Sequence, residues 1–401
     1  MRILFVAPYL PFPPLTGSAL IMLNHIRVLS GRHTVDLISF KDRRNLNDLG
    51  ELPQWCNKIE LVQRPARWRV VLYILSRIFI DPLPEISRLR SHKMCKSVAE
   101  HLSEGRYDVV LFQTILAAQF RPQGNSATAI WSLEDPPALK TRKMLPMCPW
   151  YSRPLHRMLS DRLWRYDLRH AKRFNCVTFV NKEDAAEYRN SVPGAHTDFV
   201  PHGIAEDSCS SAMVNRRKGM IVITGNMYHV PNVDAVEFFC RDIFPLICER
   251  EPTANLWVVG AGPVARVRKW ADNPRIKVTG FVLDVRAYLR EAMVSVCPVR
   301  LAVGTQTKVL EALTCGTPVV ASSAGNHGIG ATPGQHLYVT DDPRDFANYV
   351  VSLLSGENWN ELSENGRRFV HNKFSWDNST AKLEQIMERL VKASTAESMT
   401  A

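Results

Sequence analysis

CPVRLAVGTQTKVLEALTCGTPVVASSAGNHGIG, residues 297–330, is the stretch on which the fold turns. Val294, Val296 and Pro298 end a short buried strand. A turn of small residues, Ala302 to Thr305, leads to Val309, Leu310 and Leu313 at helical spacing, and Cys315-Gly316 closes that helix with Gly316 as the left-handed cap. Thr317 to Ser322 is the next buried strand. In a parallel α/β sheet the strand-to-helix loop lies at the carboxyl edge, where ligands bind, and the following helix start offers N–H groups to an anion. Gly304, Thr305, Gln306 and Thr307 are therefore a predicted phosphate cradle, with Lys308 just inside the helix and Arg300 before it as fixed positive charges. Glu311, one turn on from Lys308, suits sugar hydroxyls better than phosphate. The bland alternative is an ordinary strand-helix-strand unit in which Lys308 and Glu311 pair.

Working outward, the chain shows two runs of strand-helix alternation, the pattern of doubly wound α/β domains. The first opens with the apolar strand Arg2 to Ala7, a Pro-rich loop ending at Thr16-Gly17-Ser18, a helix with Leu20, Ile21, Leu23 and Ile26 turned inward, and the strand Val35 to Phe40. Further strands follow at 59–62, 109–113 and 129–133, the last running into Glu134-Asp135-Pro136. Carboxylates at a strand's carboxyl edge are candidates for ligand binding or proton transfer, and Glu134 and Asp135 both stand there, although helix-capping acids read the same way. The second run restarts at Met220 to Thr224, followed by Gly225-Asn226. Gly260-Ala261-Gly262-Pro263-Val264-Ala265 satisfies the dinucleotide pattern, but the next strand ends in Gly280-Phe281 and not in the acid that would hold a nicotinamide cofactor's ribose, so an oxidoreductase is disfavoured.

The composition is that of a folded globular protein: 401 residues, 45% hydrophobic and 22% charged, enough for two or three domains. Nine cysteines form no C-x-x-C pair and no cluster with histidine, so neither zinc nor a disulfide framework is signalled, and a reducing compartment is expected. The longest apolar run, Val70 to Ile80, falls short of the roughly 20 residues that span a bilayer. The net charge of +11 is concentrated: residues 64–96 hold eight Lys/Arg against two acids, and residues 140–173 ten against two. Both stretches interleave aromatic and aliphatic residues with the charges. Such a surface suits anionic lipid. It suits nucleic acid less, because no helix-turn-helix, RNA-binding or zinc-finger pattern accompanies it.

Glu311-Ala312, Gly316 and Pro318-Val319-Val320 resemble the second half of the signature of the group 1 family of retaining glycosyltransferases, and Gly304 with Lys308 to Ala312 fits one branch of it; the signature's first Glu would fall at 303, which is valine here. The resemblance implies a GT-B fold: two Rossmann-like doubly wound domains facing across a cleft, with a C-terminal helix crossing back to the first. On that reading residues 1–204 and 375–392 are the acceptor domain, 205–218 a linker, 219–374 the donor domain and 393–401 a disordered tail. The donor is then a nucleotide-diphosphate sugar, held by Gly17, Gly225, Asn226, the backbone of Gly280, Phe281 and Val282 around the base, the 304–307 loop, and Glu311 on the ribose. Asp135, Arg300 and Lys308 act on the reacting groups. No metal and no further cofactor is expected. The acceptor implied is a glycan or polyprenyl-linked saccharide, placing the protein in the cytoplasm against the inner membrane face. A non-catalytic sugar-nucleotide-binding protein of the same fold is the alternative.

Overall fold

The computed structural model describes residues 1–14, 16–41, 49–65, 84–105, 107–123, 127–205, 216–301 and 304–400. It divides into two units, Met1–Gly203 with Trp376–Ala401, and Ile204–Ser375.

The first unit is built on a parallel sheet of β1 (Arg2–Ala7), β2 (Thr34–Phe40), β3 (Lys58–Val62), β4 (Val109–Gln113), β5 (Thr128–Glu134), β6 (Cys176–Phe179) and β7 (Thr197–Phe199), in the order β3-β2-β1-β4-β5-β6-β7. Order reverses beside β1, so the loops after β1 and β4 flank a topological switch point. The strands are near-continuous apolar runs because helices cover both faces. On one face Met22, Ile26 and Leu29 of the first helix (Gly17–Ser30) pack over Ile3 and Phe5, together with Leu383, Ile386 and Met387 of the last helix. On the other, Trp131 of β5 stacks on Phe174 at 5.3 Å between ring centroids.

The last helix, Trp376–Thr400, returns to this first sheet and runs through residues 393–400, where a disordered tail is expected from the sequence. Trp376 fixes its start. The indole lies edge-on to His25 at 6.0 Å and against His202 at 5.4 Å, and a Cβ built on Gly203 would meet it at 2.2 Å.

The second unit carries its own parallel sheet of β8 (Arg217–Thr224), β9 (Asn255–Val259), β10 (Ile276–Gly280), β11 (Ala292–Cys297), β12 (Val319–Ala321) and β13 (Tyr338–Val339), in the order β10-β9-β8-β11-β12-β13. β8 begins inside the stretch expected to be linker; residues 206–215 of that stretch lie outside the described residues. The helix Thr307–Thr314 connects β11 to β12. It ends as its sequence prescribes: Gly316 is at φ +65°, its N–H reaches the Leu313 carbonyl, and Thr317 N–H reaches that of Ala312, the two bonds of a Schellman cap. Among the described residues no helix is long and apolar enough to cross a membrane.

Candidate functional site

In the second unit the strand order reverses between β8 and β11, which sets the loop after β8 (Gly225 onward) beside the loop after β11 and the start of the Thr307–Thr314 helix. Backbone approach there is very close. Gly260, after β9, has φ +147°, and a Cβ on it would sit 1.8 Å from the Gly225 carbonyl oxygen; one on Gly225 would meet the Asn232 amide nitrogen at 2.8 Å. The two glycines thus let Asn232 turn inward, where it links the two loops. Its Nδ2 donates to the Asn226 carbonyl at 3.0 Å, and its Oδ1 accepts from Lys308 Nζ at 2.5 Å. Asn232 carried no recognisable sequence signal, since it lies inside the helix Val230–Phe238 away from any motif.

Lys308 is thereby aimed at the carboxyl edge of the sheet, and burial pushes its ammonium pKa below the ordinary lysine value, against the pull of Cys297 and Glu311. The helix start beside it has no side-chain cap at Gln306 and no acid in its first turn. Gly304 adopts φ +69°, and the Thr305 hydroxyl turns toward the Gly328 carbonyl at 3.5 Å. The Glu311 carboxylate makes no hydrogen bond or ion pair among the described residues; burial raises its pKa, opposed first by Arg286 and then by Lys308. A half-buried carboxylate left open at a ligand edge is an acceptor awaiting hydroxyl donors. Lys308 and Glu311 are not the closed pair of the bland alternative, because the lysine spends its bond on Asn232.

Arg300 is differently engaged. Its guanidinium forms a two-point pair with Asp234, Nε to Oδ2 at 2.9 Å, and lies 5.0 Å from the centroid of the Phe238 ring. Residues 302 and 303, the second being the position where the signature acid is replaced, are outside the described residues. Along the same edge Gly280 has φ +72° and open space beside it, Phe281 and Leu283 are 73% and 97% exposed, and Val282 packs against the Leu310-Leu313 core. Tyr228, 61% exposed, lies over Gly262, where an added Cβ would collide with its ring at 2.6 Å. Large apolar side chains standing in solvent at one sheet edge mark a ligand rim.

In the first unit the carboxyl edge gathers Tyr9, Thr16, Ser18 and Glu134. The Ser18 hydroxyl donates to Glu134 Oε2, Oε1 is buried with no partner among the described residues, and the backbone of Glu134 is held at φ +67°, an uncommon conformation for glutamate. Burial pushes this carboxyl up to about 8, with neighbouring Asp135 adding to it. Tyr9 is pushed up to about 12 by burial and by Glu134. Asp135, the sequence reading's first choice, instead pairs with Lys140 at 3.3 Å. Gly17 begins the first helix with open space around it, while Thr16 caps that helix through the Ala19 N–H at 3.2 Å. The alternation of apolar and polar residues could not separate two adjacent acids; only the bend at the end of β5, which turns Glu134 inward, does so. Among the described residues no three His, Cys, Asp or Glu side chains converge as metal ligands would.

Two doubly wound parallel-sheet units, with the chain's last helix packed on the first, define the GT-B architecture, the fold of the glycosyltransferase structures it resembles. The second unit carries the more particular assignment: residues 218–356 match the family described as Glycosyl transferases group 1. Over 93% of its length the chain is 20% identical to 96% of an uncharacterized 44.6 kDa protein in the cps region of Klebsiella pneumoniae. Among solved structures, sucrose-phosphate synthase from Thermosynechococcus elongatus superposes with a TM-score of 0.72 at 17% identity, covering 98% of this chain and 100% of that one. HepE from Anabaena in complex with UDP-glucose gives 0.65 at 14% identity, over 97% and 100% of the two chains.

Proposed function

We propose that the protein moves a hexose from a nucleotide-diphosphate sugar to a lipid-linked saccharide or other glycan in cell-surface polysaccharide biosynthesis, retaining anomeric configuration and using no metal. The observation that carries this reading is the Asn226-Asn232-Lys308 hydrogen-bond chain beside the open carboxylate of Glu311, at the switch point of a domain matched to group 1 glycosyl transferases. As the bond between the anomeric carbon and the diphosphate oxygen breaks, negative charge grows on the diphosphate. Lys308 and the backbone of Gly304 to Thr307 meet that charge, while Glu311 accepts hydrogen bonds from the ribose hydroxyls and Gly280 to Val282 frame the base. The acceptor hydroxyl oxygen bonds the anomeric carbon on the face the diphosphate leaves, and its proton passes to the departing diphosphate oxygen. At the carboxyl edge of the first unit Glu134 is the candidate acceptor-binding group. Arg300, already paired with Asp234, shapes the field around the diphosphate.

Two similar proteins support this setting: the Klebsiella protein lies in a cps region, and WaaG, a glycosyltransferase involved in lipopolysaccharide biosynthesis, superposes with a TM-score of 0.64 at 14% identity, over 97% of this chain and 99% of that one. An acceptor at an anionic membrane face, reached from the cytoplasm, fits the segment 140–173. There Trp150, Tyr151, Leu155 and Met158 stand 79%, 72%, 55% and 41% exposed among arginines and lysines. Most of the other basic stretch, residues 66–83, lies outside the described residues.

The test is a thermal-shift panel of UDP-, GDP- and dTDP-sugars on the purified protein, followed by transfer or hydrolysis of the donor that stabilises it. Loss of both binding and turnover in Lys308→Ala and Glu311→Ala is expected. Stabilisation by a nucleotide-sugar with no turnover on any membrane-extracted acceptor would make it a binding protein instead.

A further inference from the structure

The first unit has a second concavity at the opposite edge of its sheet, where β5, β6 and β7 begin. It is a pocket of about 650 Å³ lined by Arg121, Lys172, Arg173, Arg189, His196 and Arg389, with no acid in its wall among the described residues. Two of these cations, Arg173 and Arg189, are already oriented by uncharged acceptors. Arg173 donates to the Arg121 carbonyl and to His170 Nδ1 at 3.2 Å, and Arg189 holds Thr197 through Nε to Oγ1 at 2.9 Å and Nη2 to the carbonyl at 2.7 Å. Arg121 lies 4.9 Å from the Phe174 ring centroid, and its Nη1 is buried without a partner among the described residues. Arg389 reaches Asp198 at 2.8 Å, but among the described residues Arg121, Lys172, Arg173 and Arg189 lie in no ion pair with a carboxylate. Burial and the neighbouring Arg173 lower the Arg121 pKa to about 10.

Like charges crowded into a pocket repel one another and forfeit hydration, and a fold gains nothing from that unless an anion neutralises them. Arginines pre-oriented by backbone and threonine oxygens, with donors left over, form the receptor that planar or tetrahedral oxyanions fit best. We infer that this pocket binds a phosphorylated ligand carrying two or more negative charges, at a site separate from the carboxyl edge where Glu134 lies. The size suits more than a single phosphate. Two sources share this chemistry, a soluble polyphosphate or nucleotide and the headgroup of an anionic phospholipid.

Inorganic tripolyphosphate is the probe, titrated by calorimetry and by thermal shift against the full chain and against its Lys308→Ala variant, in which the second unit's anion site is weakened. Tripolyphosphate is expected to bind and stabilise both forms, with affinity falling as salt rises. In Lys172→Glu, a change at an exposed position, and in Lys172→Glu with Arg121→Met, the affinity should drop about tenfold or more, while the stabilisation by nucleotide-sugar persists. Competition by phosphatidylglycerol vesicles identifies the lipid source, and its absence the soluble one. The inference is overturned if tripolyphosphate leaves the Lys308→Ala protein unaffected, or if the Lys172 and Arg121 changes leave its affinity intact.

Discussion

Asn232 shows how much of the site rests on one uncharged side chain. Replacing it by alanine leaves the Lys308 ammonium without its acceptor and free to leave the loop, so the donor KM should rise and kcat fall by less than in Lys308→Ala, where loss of a charge-stabilising donor costs about 10²–10³ in kcat. Steady-state kinetics on the three proteins decide it, and equal activity of Asn232→Ala and the parent would remove the positioning role. Glu134 and Asp167 are carboxyls that folding drives toward the neutral form. Asp167 is wholly buried with neither oxygen hydrogen-bonded among the described residues, and burial alone pushes it up to about 8 from 3.8. Between those values the folded protein holds a proton that the unfolded chain has lost, so this contribution to stability is fully present below pH 3.8 and is lost as pH rises through about 8. Asp167→Asn should flatten this decline in Tm measured from pH 4 to 9. For Glu134, raised from 4.5 to about 8, activity that requires the carboxylate should climb across pH 7–9, and Glu134→Gln should lose that limb while still binding donor.

At the level of elements, two junctions hold the parts in place. The returning helix is fastened by Trp376, whose indole fills the space that Gly203 leaves between His25 and His202. Trp376→Ala should cost about 3–5 kcal/mol in chemical denaturation, the usual loss for a buried aromatic, and Gly203→Ala should mimic it by collision. In the second unit the β8 and β9 loops touch through Gly225 and Gly260, so Gly260→Ala must push the Gly225 carbonyl aside and turn Asn232 with it. Donor-induced stabilisation should vanish in that variant while circular dichroism stays that of the parent. A Gly260→Ala protein still stabilised by nucleotide-sugar would mean that the loop contact does not govern the site.

For the whole molecule the uneven charge matters most. The surplus of +11 sits in two stretches of the first 173 residues, and the described one presents Trp150, Tyr151, Leu155 and Met158 to solvent. Apolar insertion plus attraction to anionic lipid gives binding that weakens as salt screens the charges. The protein is therefore expected to float with phosphatidylglycerol vesicles at low salt and to be released by high salt. Trp150→Ser with Tyr151→Ser should float poorly yet keep its activity toward a water-soluble acceptor. Flotation that ignores both salt and these residues would remove the membrane from the proposal.

The sequence by itself determined the alternation of strands and helices in both halves, the cap at Gly316, and the placement of Lys308 and Glu311 one turn apart at a helix start. Each follows from local periodicity, glycine conformation or helix geometry, which need no distant partner. Only the tertiary structure decided that Arg300 is paired with Asp234, that Asn232 carries Lys308, and that Glu134 and not Asp135 is the buried carboxyl. It also decided that the last helix continues to Thr400. Those outcomes depend on which side chains from remote parts of the chain meet, and on how much water remains around them. A charge reads the same in sequence whether it is paired or open, so burial and partner choice are set by packing alone.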